Sequence, residues 1–584
     1  MLTNGNPAPR RAYAALPLGW ASLVLLLTLT PARNMPITPA WELLSFDTAA
    51  HAGVFAVLAG LSWFSLSRQR RWPRVARHAG LVVLAGSILF GGLIEVLQHT
   101  MQLGRHGDWT DLLSDGIGAA LVVGLASWCA RRQSRRARAL APAFWAGLLL
   151  AGLLAKSAQA QDLPRARRTI AKLASHEMHG RGYVKRGEYK AAAYLRGRLR
   201  ELKLEPLAPD YTQPFTLDVN TFPGQLKLVA DRELVAGRDF IAAPASAPCP
   251  KAYSQPVLLD TLLFTDTAAV RRLLHPTQLT GKVGVAVKPA KTPKGRQVAS
   301  VVMRARDEAR LAAMPPAVQQ GLSHFQVRII LQPKLTASLA PAQGPYTRLD
   351  VLAASWPNAL ANKPVEVEVD AQLQRNYHTQ NLAAVVRGTA QPDSFLVVTA
   401  HYDHLGTMGR NVYFPGANDN ASGVALLLEL AAHYAQPENR PAYSVVFLLF
   451  GAEEAGLVGS SYFVAHPLVP LTRIRFLVNL DLLGTGEQGA TVVNGRVLEA
   501  PYQRLVRLNE ASHYLPTLSA RGRAANSDHY PFSEAGVPAF FFYTRGGSPA
   551  YHDVNDRPEA LSLAGFAGAF GLVRDFLNEL GAAK

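Results

Sequence analysis

The stretch Phe395-Leu396-Val397-Val398-Thr399-Ala400-His401-Tyr402-Asp403 decides how the C-terminal half is read. A short apolar run rich in β-branched residues reads as a buried strand, and here it hands over to an imidazole and a carboxylate. Similar runs occur at Leu382–Val386, Val445–Phe450, Phe476–Leu480 and Ala539–Tyr543. Helical patterns at 421–435, 455–465, 500–512 and 562–580 separate several of them. That alternation predicts an α/β domain with a mostly parallel central sheet. In such folds sites form at the carboxyl ends of strands.

The chemistry-bearing residues gather at those ends. His401 and Asp403 follow the first run. Next comes Gly416-Ala417-Asn418-Asp419-Asn420-Ala421-Ser422-Gly423, which opens a helix. Glu453 and Glu454 follow the strand ending at Phe450, Asp481 follows Leu480, and Tyr551-His552 follows Tyr543. Taken singly, a His after a strand is an ordinary loop residue and Glu-Glu an ordinary helix start. Taken together, imidazoles and carboxylates without thiolates suit zinc or a related divalent ion in an open, catalytic site. There are more donors than one metal needs, and a shared carboxylate bridging two metals would use them all.

These motifs resemble the co-catalytic zinc aminopeptidase family, which also includes glutamate carboxypeptidases, glutaminyl cyclases and the transferrin-receptor ectodomain. The resemblance covers about 380–580 and includes Gly451–Ser460, Asn479-Leu480-Asp481, Ser527-Asp528-His529 and Asp556. A weaker similarity spans Ser175–Pro206, around His176-Glu177-Met178-His179-Gly180-Arg181. It implies two Zn2+ ions, one on His401 and Asp481, the other on Glu454 and His552, with Asp419 bridging. It implies Glu453 as general base, Asp403 as a second-layer acceptor for the His401 imidazole, and Tyr551 as an oxyanion donor. It also implies a cis peptide at Asp419–Asn420. Asp553 departs from the family, which often has Thr there. The noncatalytic receptor branch lacks parts of the ligand set; this chain keeps five ligands and the base. The expected function is a metallo-exopeptidase, an aminopeptidase acting on peptide or small aminoacyl substrates. The alternatives are a single-zinc cyclase-like acyltransferase and a noncatalytic, membrane-tethered binding module.

Charge divides the chain. Of 584 residues with net charge +18, residues 1–160 hold 15 Lys/Arg and 6 Asp/Glu. Mean hydropathy is +0.05. Five apolar stretches, 14–31, 49–67, 79–98, 112–130 and 140–157, alternate with Arg-rich and Arg-poor loops. By length and by the positive-inside rule these predict an all-α transmembrane bundle with the peptidase on the extracytoplasmic side of a bacterial cell membrane. The basic residues serve that topology, so no nucleic acid is expected. Asp47, His51, Glu95, Gln98, Asp111 and Asp115 resemble the VanZ-like family over about 15–130; Ala52 and Asp115 depart from its pattern. Residues 131–160 also have the basic, apolar and Ala158-Gln159-Ala160 pattern of a signal peptide. A cleaved signal, a retained fifth span and a join of two reading frames all remain open.

The expected division is 1–135 VanZ-like, 136–161 span or signal-like, 162–211 opening helices, 212–375 a β-rich, protease-associated-like insertion with short β-like runs such as Val257–Leu259, Val283–Val287 and Phe325–Leu331 and a helix-like stretch at about 302–313, and 376–584 catalytic. Two cysteines, Cys129 and Cys249, exclude a disulfide scaffold and a cysteine-rich zinc module.

Overall fold

The computed structural model describes residues 15–28, 46–67, 73–101, 116, 118–124, 162–274, 295–357 and 363–582. The chain forms two compact units, Met1–Ala158 and Gln159–Lys584.

The first unit contains helices Ala15–Thr28, Phe46–Ser67, Pro73–Arg77 and Ala79–Met101. Here the sequence expectation is corrected. Among the described residues no helix is long and apolar enough to cross a membrane. The transmembrane bundle, the multi-pass membrane location and the lipid contact through 14–157 therefore do not stand. Ala15–Thr28 has 14 residues, about 21 Å of helix against a hydrocarbon core of about 30 Å. In the longer helices Phe55, Leu58 and Ile94 turn toward one another and Val24 as a small core. An apolar run reads alike for a span and for a helix buried among its neighbours. The stretch 140–157 and the signal-like segment lie outside the described residues, as do Asp111 and Asp115.

The second unit is built on a nine-stranded sheet. Its centre is four parallel strands in the order Tyr443–Phe450, Gln391–His401, Ile474–Leu480 and Ala539–Thr544. Gln372–Val386 joins one side antiparallel, and Ala490–Val493 the other. Side chains alternate across the pleat. Leu396, Val398 and Ala400 face a large core shared with helices Leu163–Leu173, Gly423–Tyr434 and Phe566–Gly581. Phe395 and Val397 face the opposite core with Phe463 and Phe532, from helices Val458–Ala465 and His529–Glu534. Register brings the carboxyl ends together: His401 pairs with Phe450, and Thr399 with Asn479. The turns after His401, Phe450 and Leu480 therefore leave the sheet side by side, where folds of this kind carry their binding crevice.

Between the opening helices and the catalytic strands lie two smaller sheets. One has four strands, Glu233–Leu234, Leu226–Val229, Val365–Val369 and Cys249–Ser254. The other has five: Phe240–Ala242, Thr347–Leu352, Val327–Gln332, Ser300–Arg304 and Pro256–Leu259. The helix expected at 302–313 begins as a strand and turns helical only at Ala305–Ala312. The reason is the run Val301-Val302-Met303, wholly buried between neighbouring strands. The β run expected at Val283–Val287 lies outside the described residues.

Candidate active site

His401 ends its strand, and its Nε2 points into the crevice, 3.5 Å from Asp481 Oδ1 and 3.4 Å from Asp419 Oδ1. His552 approaches from the other side. Its Nε2 is 3.1 Å from Asp419 Oδ2 and 3.1 Å from Glu454 Oε2. Asp419 thus offers one oxygen to each imidazole–carboxylate pair. Tetrahedral ligands at 2.0–2.1 Å from a zinc ion stand about 3.3 Å apart, which is the spacing seen on both sides.

The charge balance also fits a metal. Among the described residues, no Lys or Arg forms an ion pair with Asp419, Glu454 or Asp481; the only ion-pair partners found for them are His side chains. Buried charges are paired or coordinate metals. Burial alone would lower His552, but Glu454 and Asp419 override it and push it up to about 11. The site therefore calls for positive charge at that nitrogen. Asp481 Oδ1, buried, has no hydrogen-bond partner among the described residues.

Glu453 stands beside Glu454 without belonging to either facing pair. Burial raises its carboxyl well above the usual range; His401 opposes this, while Asp528, Glu454 and Asp481 add to it. With His401 and Asp481, Glu453 forms a second group of donors within metal-binding reach of one another. Asp528, fully buried, is raised to about 7 by its burial.

The remaining expected residues hold loops. Asp403 accepts the backbone N–H groups of Glu453 and Glu454 at 3.1 and 3.3 Å. Its carboxylate is 3.7 Å from His401 Nδ1, and its backbone carbonyl is nearer, at 3.3 Å. Asp556 accepts from the N–H of Asn418 and of Asp419, at 2.9 and 3.0 Å, so it fixes the Asp419 loop. The Asp419–Asn420 peptide is cis. Tyr551 is 48% exposed and its ring stacks on His552, centroids 4.0 Å apart.

Three contributors had no role assigned from sequence, although Arg181 and Ser527 stand within stretches that carry the resemblance. His404, fully buried, puts Nδ1 2.6 Å from Glu454 Oε1; it sits one residue past Asp403, and that proximity was the available signal. Ser527 donates to Asp481 Oδ2 at 2.9 Å and receives from Asn479 at 2.8 Å; Thr399 donates to Asn479 in turn. This file of hydroxyl and amide groups aims Asp481. Arg181 is completely buried and donates to the carbonyls of Leu173, Tyr402, Pro415, Gly416 and Asp419. Burial pulls its guanidinium down to about 10, against the nearby Asp419 and Asp556.

Residues 381–577 match the model of peptidase family M28. This part of the chain is an M28 peptidase domain. The match lies wholly outside residues 15–130, so it lends the VanZ-like resemblance no support. The chain is 30% identical over 247 residues to aminopeptidase YwaD of Bacillus subtilis, covering 37% of this chain and 52% of that protein. It is 30% identical over 214 residues to a probable zinc metalloprotease of Pyricularia oryzae, covering 34% and 42%. It thus spans about half the length of these curated relatives. The fold resembles BSAP, a zinc aminopeptidase from Bacillus subtilis, with a TM-score of 0.53 at 21% identity, over 72% of this chain and 96% of that one. That likeness extends beyond the M28 match, to a length that takes in most of the second unit.

Proposed function

We propose that the chain is a zinc aminopeptidase that removes N-terminal residues from peptides at a two-metal site. The observation that carries this reading is Asp419, with one oxygen toward His401 and Asp481 and the other toward His552 and Glu454. His401 and Asp481 would hold one zinc, His552 and Glu454 the other, and Asp419 would bridge. When bound there, zinc lowers the pKa of its water toward ~7 and polarises a carbonyl.

The chain's own residues supply the rest. Glu453 takes a proton from the attacking water and returns it to the leaving amine. Burial raises its carboxyl, the direction that a group both taking and returning a proton requires. Asp403 fastens the Glu453 and Glu454 amides, so base and ligand share one rigid turn. Tyr551 stands at the mouth as the candidate donor to the developing oxyanion. The names of the relatives, aminopeptidase and zinc metalloprotease, agree with this assignment.

Full-length protein is expected to hydrolyse aminoacyl anilides with a free α-amine. N-acetylated counterparts should be poor substrates, and a zinc chelator should abolish turnover until zinc is restored. Equal turnover of acetylated and free substrates would point to another exopeptidase or endopeptidase specificity.

A further inference from the structure

The adjacent, parallel strands Val327–Gln332 and Thr347–Leu352 need a crossover connection, which is usually a helix. Here the connection, residues 333–346, contains no helix or strand. Structureless connections of this length in compact domains tend to be functional. This one leaves the inserted sheets and runs to the metal-ligand candidate His552.

Its contacts there are reciprocal. Ala337 N–H donates to the His552 carbonyl at 3.0 Å, and His552 Nδ1–H donates to the Ala337 carbonyl at 2.8 Å. Lys334 Nζ donates to the Pro549 carbonyl at 2.9 Å. Beyond Ala337, the Ala340 carbonyl accepts from Asn220 N–H at 2.8 Å, and Gln343 donates to the Asn220 side chain at 2.9 Å. Between these anchors Leu339 packs against the cluster containing Tyr183 and Ala452, the residue before Glu453. One loop therefore bonds to the His552 turn and packs against the cluster to which Ala452 belongs.

A carbonyl can only accept. With Nδ1 carrying the proton for Ala337, the other nitrogen, Nε2, is the one left to face Asp419 and Glu454. The partner of the second ring nitrogen sets both tautomer and ring pose of a metal-binding His. His552 also sits at φ +52°, a region non-glycine residues rarely occupy. It makes the paired bonds to Ala337 in that conformation.

We infer that the 333–346 loop of the inserted region is a positioning element of the metal centre, with the Ala337 backbone fixing His552 as a ligand. This rests on the two-zinc reading above. Metal affinity on the His552 side then depends on a segment outside the matched 381–577 domain.

The test uses full-length Ala337→Pro, which removes the N–H donor, and Leu339→Ala, which loosens the loop's seat and leaves the backbone bonds in place. Zinc binding is measured by competition with a chelator, and the Co(II) form is read by visible absorption. In Ala337→Pro one of two metal equivalents should weaken about 10–100-fold, with the other unchanged and the Co(II) spectrum of the weakened site altered. Leu339→Ala should shift the same equivalent in the same direction by less. If wild type binds two equivalents and both variants match it in affinity and spectrum, the inference is overturned. If both equivalents weaken equally, the loop acts on the fold at large and the inference also fails. Wild type binding fewer than two equivalents would overturn the two-zinc reading and this inference with it.

Discussion

Glu453→Gln is expected to lower kcat about 1,000-fold while the protein keeps its zinc. General acid–base catalysis by a placed side chain is worth roughly 10²–10⁴-fold. A loss of 1,000-fold corresponds to about 4 kcal/mol in the barrier. Glu453 is placed for that part because it lies at the crevice beside Glu454 yet outside the imidazole–carboxylate pairs around Asp419. Gln preserves size and removes the proton acceptor. Its neighbour Glu454 keeps its own contacts with His404 and His552. Metal content by elemental analysis and steady-state kinetics together check this. Unchanged turnover would remove Glu453 from the mechanism, and loss of zinc would make it a ligand instead of a base.

The second large effect is on stability. Arg181→Met is expected to destabilise the second unit by at least ~4 kcal/mol. The guanidinium satisfies five carbonyls in a place closed to water. Each buried acceptor left unpaired costs about 1–3 kcal/mol. The positive charge also interacts favourably with Asp419 and Asp556, an attraction that the substitution removes. For a unit of the size of Gln159–Lys584, an unfolding entropy of about 2.1 cal/mol/K per residue gives about 1 °C per kcal/mol, so the melting temperature should fall by ~4 °C or more. Arg181→Lys should not restore it, because an ammonium has three donors and no planar fork. Differential scanning calorimetry of the metal-free protein checks this; a variant that melts with the wild type would contradict it.

The contrast between Glu453 and Arg181 shows what a sequence exposes. Residues that follow strand ends are legible, because the apolar run locates the edge and the next polar residue must stand on it. His401, Glu453, Glu454 and Asp481 were all placed in that way. The role of Arg181 was not, because its partners are backbone carbonyls on three other segments, and a carbonyl carries no sequence signature. The 333–346 loop was invisible for the same reason: its tie to His552 is made by backbone and imidazole across 215 residues. His404 was within reach, one residue past a motif already quoted. The N-terminal unit misled for a different reason. Hydropathy measures how little a segment favours water, and a helix turned toward its neighbours meets that criterion as well as one in lipid. Residues 302–304, read as the start of a helix, end the strand Ser300–Arg304 and show the familiar ambiguity of short apolar runs.

Asp419, by the proposed function, joins two metal sites. Anomalous diffraction at the zinc edge from zinc-loaded, active protein should then give two peaks, one on each side of Asp419, the first against His401 and Asp481 and the second against His552 and Glu454. A single peak in fully active protein, or two peaks that do not share Asp419, would contradict it.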